Sequence, residues 1–139
     1  MVTVNWLGGL VFEADPPSGA KFQLDAGNGN SPRLGPSPLE CLLASIAGCS
    51  AVDVVVILEK KRQKVTSYRI EVDGVRGPEG EYPRPFVSLT VRHILSGEGL
   101  TEDAVQRAVE LSDEKYCTVI ATLRLGPTVT SEWTIEPAS

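Results

Sequence analysis

A chain of 139 residues has the usual length of one domain and can bury a core without disulfide or metal crosslinks. Its composition, 42% hydrophobic and 22% charged, is ordinary for a globular protein. The net charge of −5 argues against a surface that tracks nucleic-acid phosphates. We therefore expect a single domain over residues 1–139 and no nucleic-acid partner.

The amino-terminal residues Met1–Trp6 lack the basic region and long apolar region of a secretory signal, which favours a cytoplasmic protein. The most apolar stretch, from Leu39 to Leu58, contains Glu40 and Asp53, which are costly in a bilayer. This stretch is interpreted as a core helix, so no membrane partner is expected.

The first third of the chain predicts short strands, because apolar and polar residues alternate between turn-forming residues. Three strands of an antiparallel meander are expected at Val2–Leu7, Leu10–Ala14 and Ala20–Asp25. A loop rich in Gly, Asn and Pro follows from Ala26 to Pro36, and such a loop can serve a site.

A capping box formed by Ser37 and Glu40, with Pro38 at the first helical position, predicts the start of a long helix. The helix should run to about Arg62 and be buried, since it is apolar almost all round. Four further elements are predicted: a hairpin of Val65–Val75 and Phe86–Leu95, a helix capped by Thr101, a short helix over Glu114–Leu123, and a last strand, Thr128–Glu136, that closes the sheet.

Two of the three cysteines have surroundings that indicate thiol chemistry. Cys49 interrupts the central helix, and Cys117 opens a second apolar run 68 positions later, so only the fold can bring them together. Cys117 is expected in the first turn of the short helix, where the helix dipole and Lys115 would lower its thiol pKa. For both cysteines, packing in the core is the alternative interpretation.

Three other residues carry weaker signals. Cys41 lies about two helical turns before Cys49, too far for a disulfide, and is interpreted as a packing residue. Glu40 has a capping role and could also hold a cation near the site. Asp53, one turn beyond Cys49, could act as a base or orienting group, but we favour a bond to a loop backbone.

No metal or cofactor is expected. The single histidine, His93, lies in a predicted strand without a second ligand at metal-binding spacing. The sequence contains no Cys-x-x-Cys pair, phosphate-binding loop or Gly-x-Ser-x-Gly elbow.

The segment from Ser37 to Cys49 resembles the central-helix motif of the OsmC/Ohr family, the osmotically inducible and organic hydroperoxide resistance proteins. The resemblance continues through Asp53-Val54-Val55 and Lys60-Lys61-Arg62, reappears from Glu114 to Val119, and covers essentially the whole chain. It implies an α+β, OsmC-like fold: an antiparallel sheet, a long buried central helix, a second helical segment and an intertwined homodimer with its sites at the subunit interface.

The resemblance also implies a mechanism. The cysteine matched by Cys49 attacks a peroxide and becomes a sulfenic acid, and the cysteine matched by Cys117 condenses with it to a disulfide. A dithiol reductant, of the lipoyl type or similar to thioredoxin, then resets the enzyme. The catalytic residues implied are Cys49, Cys117 and Glu40.

This chain departs from the hydroperoxide resistance branch at two points. That branch has its functional Glu directly after the Pro of the motif, where this chain has Leu39, with Glu40 one position later. It also activates the thiolate with an amino-terminal Arg, for which Lys21 and Arg33 are both candidates here. The chain therefore resembles a divergent, OsmC-like branch.

The leading functional hypothesis is a thiol peroxidase that reduces organic hydroperoxides, and also hydrogen peroxide, in oxidative-stress defence. An apolar lining from Leu42, Ile46 and residues near Phe86 would favour alkyl or lipid hydroperoxides. The alternative is a dimeric binding protein that holds an apolar or reactive small molecule without turning it over. A third hypothesis is a redox sensor whose disulfide alters a protein contact.

Overall fold

A computed structural model of the chain describes residues 1–138. Its elements, in chain order, are β1 Thr3–Gly8, β2 Val11–Asp15, β3 Phe22–Asp25, α1 Pro38–Lys60, β4 Ser67–Arg76, β5 Phe86–Ser96, α2 Glu102–Leu111 and α3 Thr118–Leu125. A π-helical segment, Ser112–Tyr116, joins α2 to α3. The fold is thus α+β, as predicted, and its strands form two separate antiparallel sheets where a single sheet was expected.

The predicted amino-terminal meander is confirmed as the antiparallel sheet β1–β2–β3. Trp6 pairs with Phe12, and Ala14 pairs with Phe22, so apolar side chains share one face of this sheet. That face is open in the single chain, where Trp6 is 69% exposed. The two apolar core clusters of the chain contain no residue from these three strands.

The capping box predicted at the start of α1 is confirmed. The Ser37 hydroxyl accepts a hydrogen bond from the Glu40 N–H at 3.2 Å, and the Glu40 carboxylate accepts one from the Ser37 N–H at 3.0 Å. The helix ends at Lys60, shortly before the expected Arg62, which adopts a left-handed conformation with φ 57°. Local capping chemistry thus fixes where this long helix begins.

Burial of α1 is confined to one stripe in the single chain. The buried residues recur every fourth position: Ile46, Ser50, Val54 and Leu58. Other apolar side chains on the helix, including Val52 and Val56, are largely exposed to solvent. By length and composition alone α1 could cross a membrane, a test that core helices of soluble proteins also pass.

The predicted hairpin is confirmed as β4–β5, with Tyr68 opposite Leu95 and Val72 opposite Val91. Its inner side packs on two core clusters. The cysteine cluster has a buried centre of Ile46, Cys117 and Ile120, and the distal cluster has a buried centre of Val54, Leu58, Ala104 and Ala108. The buried Ser50 lies between the two on the α1 stripe.

The carboxy-terminal third differs from the prediction in two respects. The short helix begins at Thr118 instead of Glu114, because the π-helical segment takes up the preceding residues. The last strand expected at Thr128–Glu136 is wrong, since residues 126–138 contain no helix or strand. A strand forms only by pairing, and within this chain the segment joins neither of the two sheets.

Candidate functional site

The fold brings Cys49 and Cys117 together. Cys49 projects from α1 into the cysteine cluster, and Cys117 is the residue that caps the amino end of α3. Packing of α3 on α1 joins these two elements, and Cys49 packs against the cluster that contains Cys117, close enough to raise the pKa of the Cys117 thiol. All three cysteines of the chain are free thiols, so the pair is in its reduced form.

The predicted low thiol pKa of Cys117 is wrong. Burial raises the pKa of Cys117, and its contact with Cys49 raises it further. Backbone amides of Ile120 and Val119 act in the opposite direction but do not outweigh the loss of solvent. Cys117 is only 3% exposed, and it precedes α3 instead of lying in its first turn. It therefore keeps its proton at neutral pH and can donate a hydrogen bond to the Cys49 sulfur.

Glu40 lies apart from the cysteine pair in the single chain. It lies nine positions before Cys49 on the same helix, which corresponds to about 13 Å along the axis. The Ser37 backbone amide and hydroxyl lower the pKa of Glu40, with a smaller contribution from Arg33. Glu40 is thus an ionised capping residue close to a cation, and its catalytic role stays a prediction.

Both candidate cations are engaged away from the cysteine cluster. The Arg33 guanidinium donates to the Asp25 carbonyl oxygen at 2.6 Å and stabilises the loop before α1. Lys21 lies 3.7 Å from a Glu13 carboxylate oxygen on the amino-terminal sheet. Within one chain, neither side chain is placed to activate a thiolate at Cys49.

Cys41 lies outside the cysteine cluster, half-buried near the start of α1. Its carbonyl oxygen accepts a hydrogen bond from the Ser45 hydroxyl at 2.8 Å. Nothing in its surroundings distinguishes it from a packing residue, in agreement with the interpretation from its spacing.

An apolar groove of about 840 Å³ runs beside the cysteine cluster. Its walls are formed by α1, the β5 strand and α3, and include the predicted lining residues Leu42, Ile46 and Phe86. Ile46 and Ile120 belong both to this groove and to the cysteine cluster, so the groove borders the thiol pair. A groove of this size and character suits a small apolar ligand.

Polar residues line the end of the groove that lies toward the distal cluster. His93 accepts or donates through Nδ1 in a 2.6 Å hydrogen bond with the Tyr68 hydroxyl, and their rings stack. Burial lowers the pKa of His93 and raises that of Tyr68, so both are neutral near pH 7. The groove therefore contains a neutral imidazole among apolar side chains.

Ser112 is the residue that the sequence interpretation missed. It is fully buried, and its hydroxyl donates to the Asp53 carboxylate at 2.9 Å and lies 3.1 Å from the Ser50 hydroxyl. Asp53 thus bonds a side chain where a backbone partner was expected. The sequence does contain a signal for its burial: Ser112 continues the four-residue spacing of Ala104 and Ala108, which places it on the buried side of α2.

These features define a class of protein: an α+β fold whose central helix carries one thiol that meets a second thiol from the carboxy-terminal helices. The family model described as "OsmC-like protein" matches residues 27–132, and the chain belongs to that family. The family includes organic hydroperoxide resistance proteins.

Individual relatives agree with this assignment. Protein YhfA of Escherichia coli strain K12 is 38% identical over 135 residues, covering 97% of each chain. A hypothetical protein of Aquifex aeolicus has a crystal structure with 31% identity and a TM-score of 0.77, over 90% of this chain and 86% of that one. The organic hydroperoxide resistance protein OhrB of Bacillus subtilis shares the fold at 17% identity, with a TM-score of 0.56 and coverage of 88% and 90%.

Proposed function

We propose that this protein is a thiol-dependent peroxidase that reduces organic hydroperoxides through Cys49 and Cys117. The observation that carries the proposal is the contact between these two thiols, which come from distant parts of the sequence and meet beside an apolar groove. Membership of a family that includes hydroperoxide resistance proteins supports the same chemistry.

The reaction has three steps. The Cys49 thiolate attacks the terminal peroxide oxygen, the O–O bond breaks, and the alkoxide takes a proton to leave as an alcohol. The resulting sulfenic acid condenses with the Cys117 thiol to a disulfide and releases water. An external dithiol, of the lipoyl type or similar to thioredoxin, then reduces the disulfide by exchange. One hydroperoxide and one dithiol thus yield one alcohol, one water and one disulfide.

The division of roles between the cysteines follows from their surroundings. Cys49 is partly exposed, so a peroxide has access to its sulfur, whereas Cys117 is buried. The raised pKa of Cys117 keeps this thiol protonated while it waits for the sulfenic acid, which fits a resolving role better than an attacking one.

Apolar hydroperoxides are the proposed substrate class. Leu42, Ile46 and Phe86 would bind an alkyl chain, while the hydroperoxide end would lie toward the thiols. Hydrogen peroxide would gain nothing from these contacts, so it should be a poorer substrate. We propose that the activity is cytoplasmic, in a compartment where thiols are kept reduced between turnovers.

A homodimer is the proposed active form. The open face of the amino-terminal sheet carries Trp6 and Phe12, and α1 exposes Val52 and Val56. Clusters of exposed large apolar side chains favour contact with another protein surface. The carboxy-terminal arm, residues 127–138, adds Val129, Trp133 and Ile135, each at least 84% exposed in the single chain. A second copy would cover these surfaces.

Glu40 and Arg33 would act across that dimer interface. Because Glu40 lies about 13 Å from Cys49 along its own helix, a role at the thiol requires the Cys49 of another copy. Arg33 makes a small contribution to the lowered pKa of Glu40, and we propose that the two charges act together at that interface.

The proposal is tested by peroxide turnover with matched cysteine variants. Cys49→Ser should abolish reduction of cumene hydroperoxide, Cys117→Ser should leave a single oxidation without recycling, and Cys41→Ser should turn over like the wild type. Full activity of Cys49→Ser would refute the mechanism.

A dimeric binding protein is the second candidate. It is favoured by one observation: both candidate cations, Arg33 and Lys21, bond to groups away from the cysteine cluster. Tight binding of an apolar ligand in the groove, together with no peroxide consumption at either cysteine, would select this function over the peroxidase.

A further inference from the structure

Ser112 connects the two elements that carry the thiols. Its hydroxyl reaches α1 through Asp53 and Ser50, while its carbonyl oxygen accepts the N–H of Cys117 at 2.8 Å. Ser112 thus binds the helix that carries Cys49 through its side chain, and it binds Cys117 through its backbone.

The direction of these hydrogen bonds can be deduced. The Ser112 hydroxyl donates its proton to an Asp53 carboxylate oxygen at 2.9 Å. The Ser50 hydroxyl must then donate to the Ser112 oxygen across their 3.1 Å separation. All polar groups of this buried network are satisfied, and such networks impose one arrangement on the elements they join.

The positions of the partners on α1 relate the network to Cys49. Ser50 directly follows Cys49, and Asp53 lies one helical turn beyond it, so both are fixed relative to the Cys49 sulfur. The segment they hold is π-helical, a rare conformation that is frequently found at functional sites. The Arg124–Asp113 pair also ties α3 to this segment, but among these contacts only the Ser112 network joins the segment to the Cys49 helix.

We propose that Asp53 and Ser112 are positioning residues that hold Cys117 over Cys49 and thereby set the rate of disulfide closure. This inference rests on the proposed peroxidase function, but it concerns the second chemical step alone. Disulfide geometry is specific, and a displacement of about 1 Å in a reacting group can slow a reaction roughly a hundredfold.

The test compares Ser112→Ala and Asp53→Ala with Ser45→Ala, whose hydroxyl bonds only the carbonyl of its own helix. Rapid mixing with cumene hydroperoxide, followed by dimedone trapping and mass spectrometry, separates sulfenic acid formation on Cys49 from closure to the disulfide. We expect formation to be unchanged and closure to fall roughly 10- to 100-fold in the two network variants, with Ser45→Ala like the wild type. Excess peroxide should then drive the accumulated sulfenic acid to sulfinic acid.

A second oxidant makes the test independent of peroxidase activity. Diamide removes two electrons and two protons from a thiol pair, so it closes the Cys49–Cys117 disulfide without peroxide. Slow closure in the network variants with both oxidants supports positioning, and closure at the wild-type rate with diamide overturns it. A wild-type protein that closes with diamide but ignores peroxide would refute the proposed function only. Asp53→Asn keeps an oxygen that can accept the Ser112 hydrogen bond, so its disulfide should close at an intermediate rate if the network acts by position. This variant replaces Ser112→Ala in the test if Ser112→Ala does not fold.

Discussion

The carboxy-terminal arm offers a direct test of the proposed dimer. Trp133 is 84% exposed in the single chain, so almost its whole side chain is available for burial by a second copy. A buried Trp removes about 150–250 Å² from water, an upper limit of about 4–6 kcal/mol at about 25 cal/mol per Å². This limit is seldom reached: replacing a large central interface residue by Ala usually weakens the binding free energy by about 2 kcal/mol or somewhat more.

A twofold dimer contains the substitution twice, so Trp133→Ala should weaken association by at least about 4 kcal/mol, or roughly a thousandfold in Kd. Sedimentation velocity over a wide concentration range would measure this change. Glu132→Ala, which changes the neighbouring exposed but charged residue of the same arm, is the matched control and should associate like the wild type. An unchanged Kd for Trp133→Ala, or an equal loss for both variants, would refute the reasoning.

Two further predictions concern charge. Glu40→Gln removes the negative charge but keeps the capping box, because Gln can also accept the hydrogen bond at this position. Peroxide reduction should slow roughly ten- to a hundredfold, while the helix content measured by circular dichroism stays unchanged. Wild-type kinetics would exclude Glu40 from catalysis. The lowered pKa of His93 means that the unfolded chain binds the proton more readily, so stability should fall as the pH drops below about 6.5. In urea unfolding at about pH 7.5 and about pH 5, His93→Gln should show a smaller difference in unfolding free energy than the wild type, and an equal difference would refute a neutral, buried imidazole.

Local signals were sufficient to predict much of the fold. The capping box at Ser37 and Glu40 fixed the start of α1, and alternation identified both strands of the β4–β5 hairpin, because these features depend on neighbouring residues. The strand expected at Thr128–Glu136 has the same alternation but no partner in the chain. Strand formation depends on pairing with another segment, which a local pattern does not reveal.

The candidate site was predictable in part. The resemblance of the α1 and Cys117 segments to a family motif indicated which cysteines would meet. The pKa of Cys117 was predicted in the wrong direction, because the position before a helix is visible in the sequence whereas burial is not. Ser112 was missed for a similar reason, since its importance comes from contacts with residues about 60 positions away.

The most direct test of the two-cysteine mechanism is the intact mass of the reduced protein after one equivalent of cumene hydroperoxide, with peptide mapping. The mechanism predicts rapid loss of two hydrogens, located to a disulfide between Cys49 and Cys117. No change in mass, or slow addition of oxygen to Cys49 without a disulfide, would contradict it.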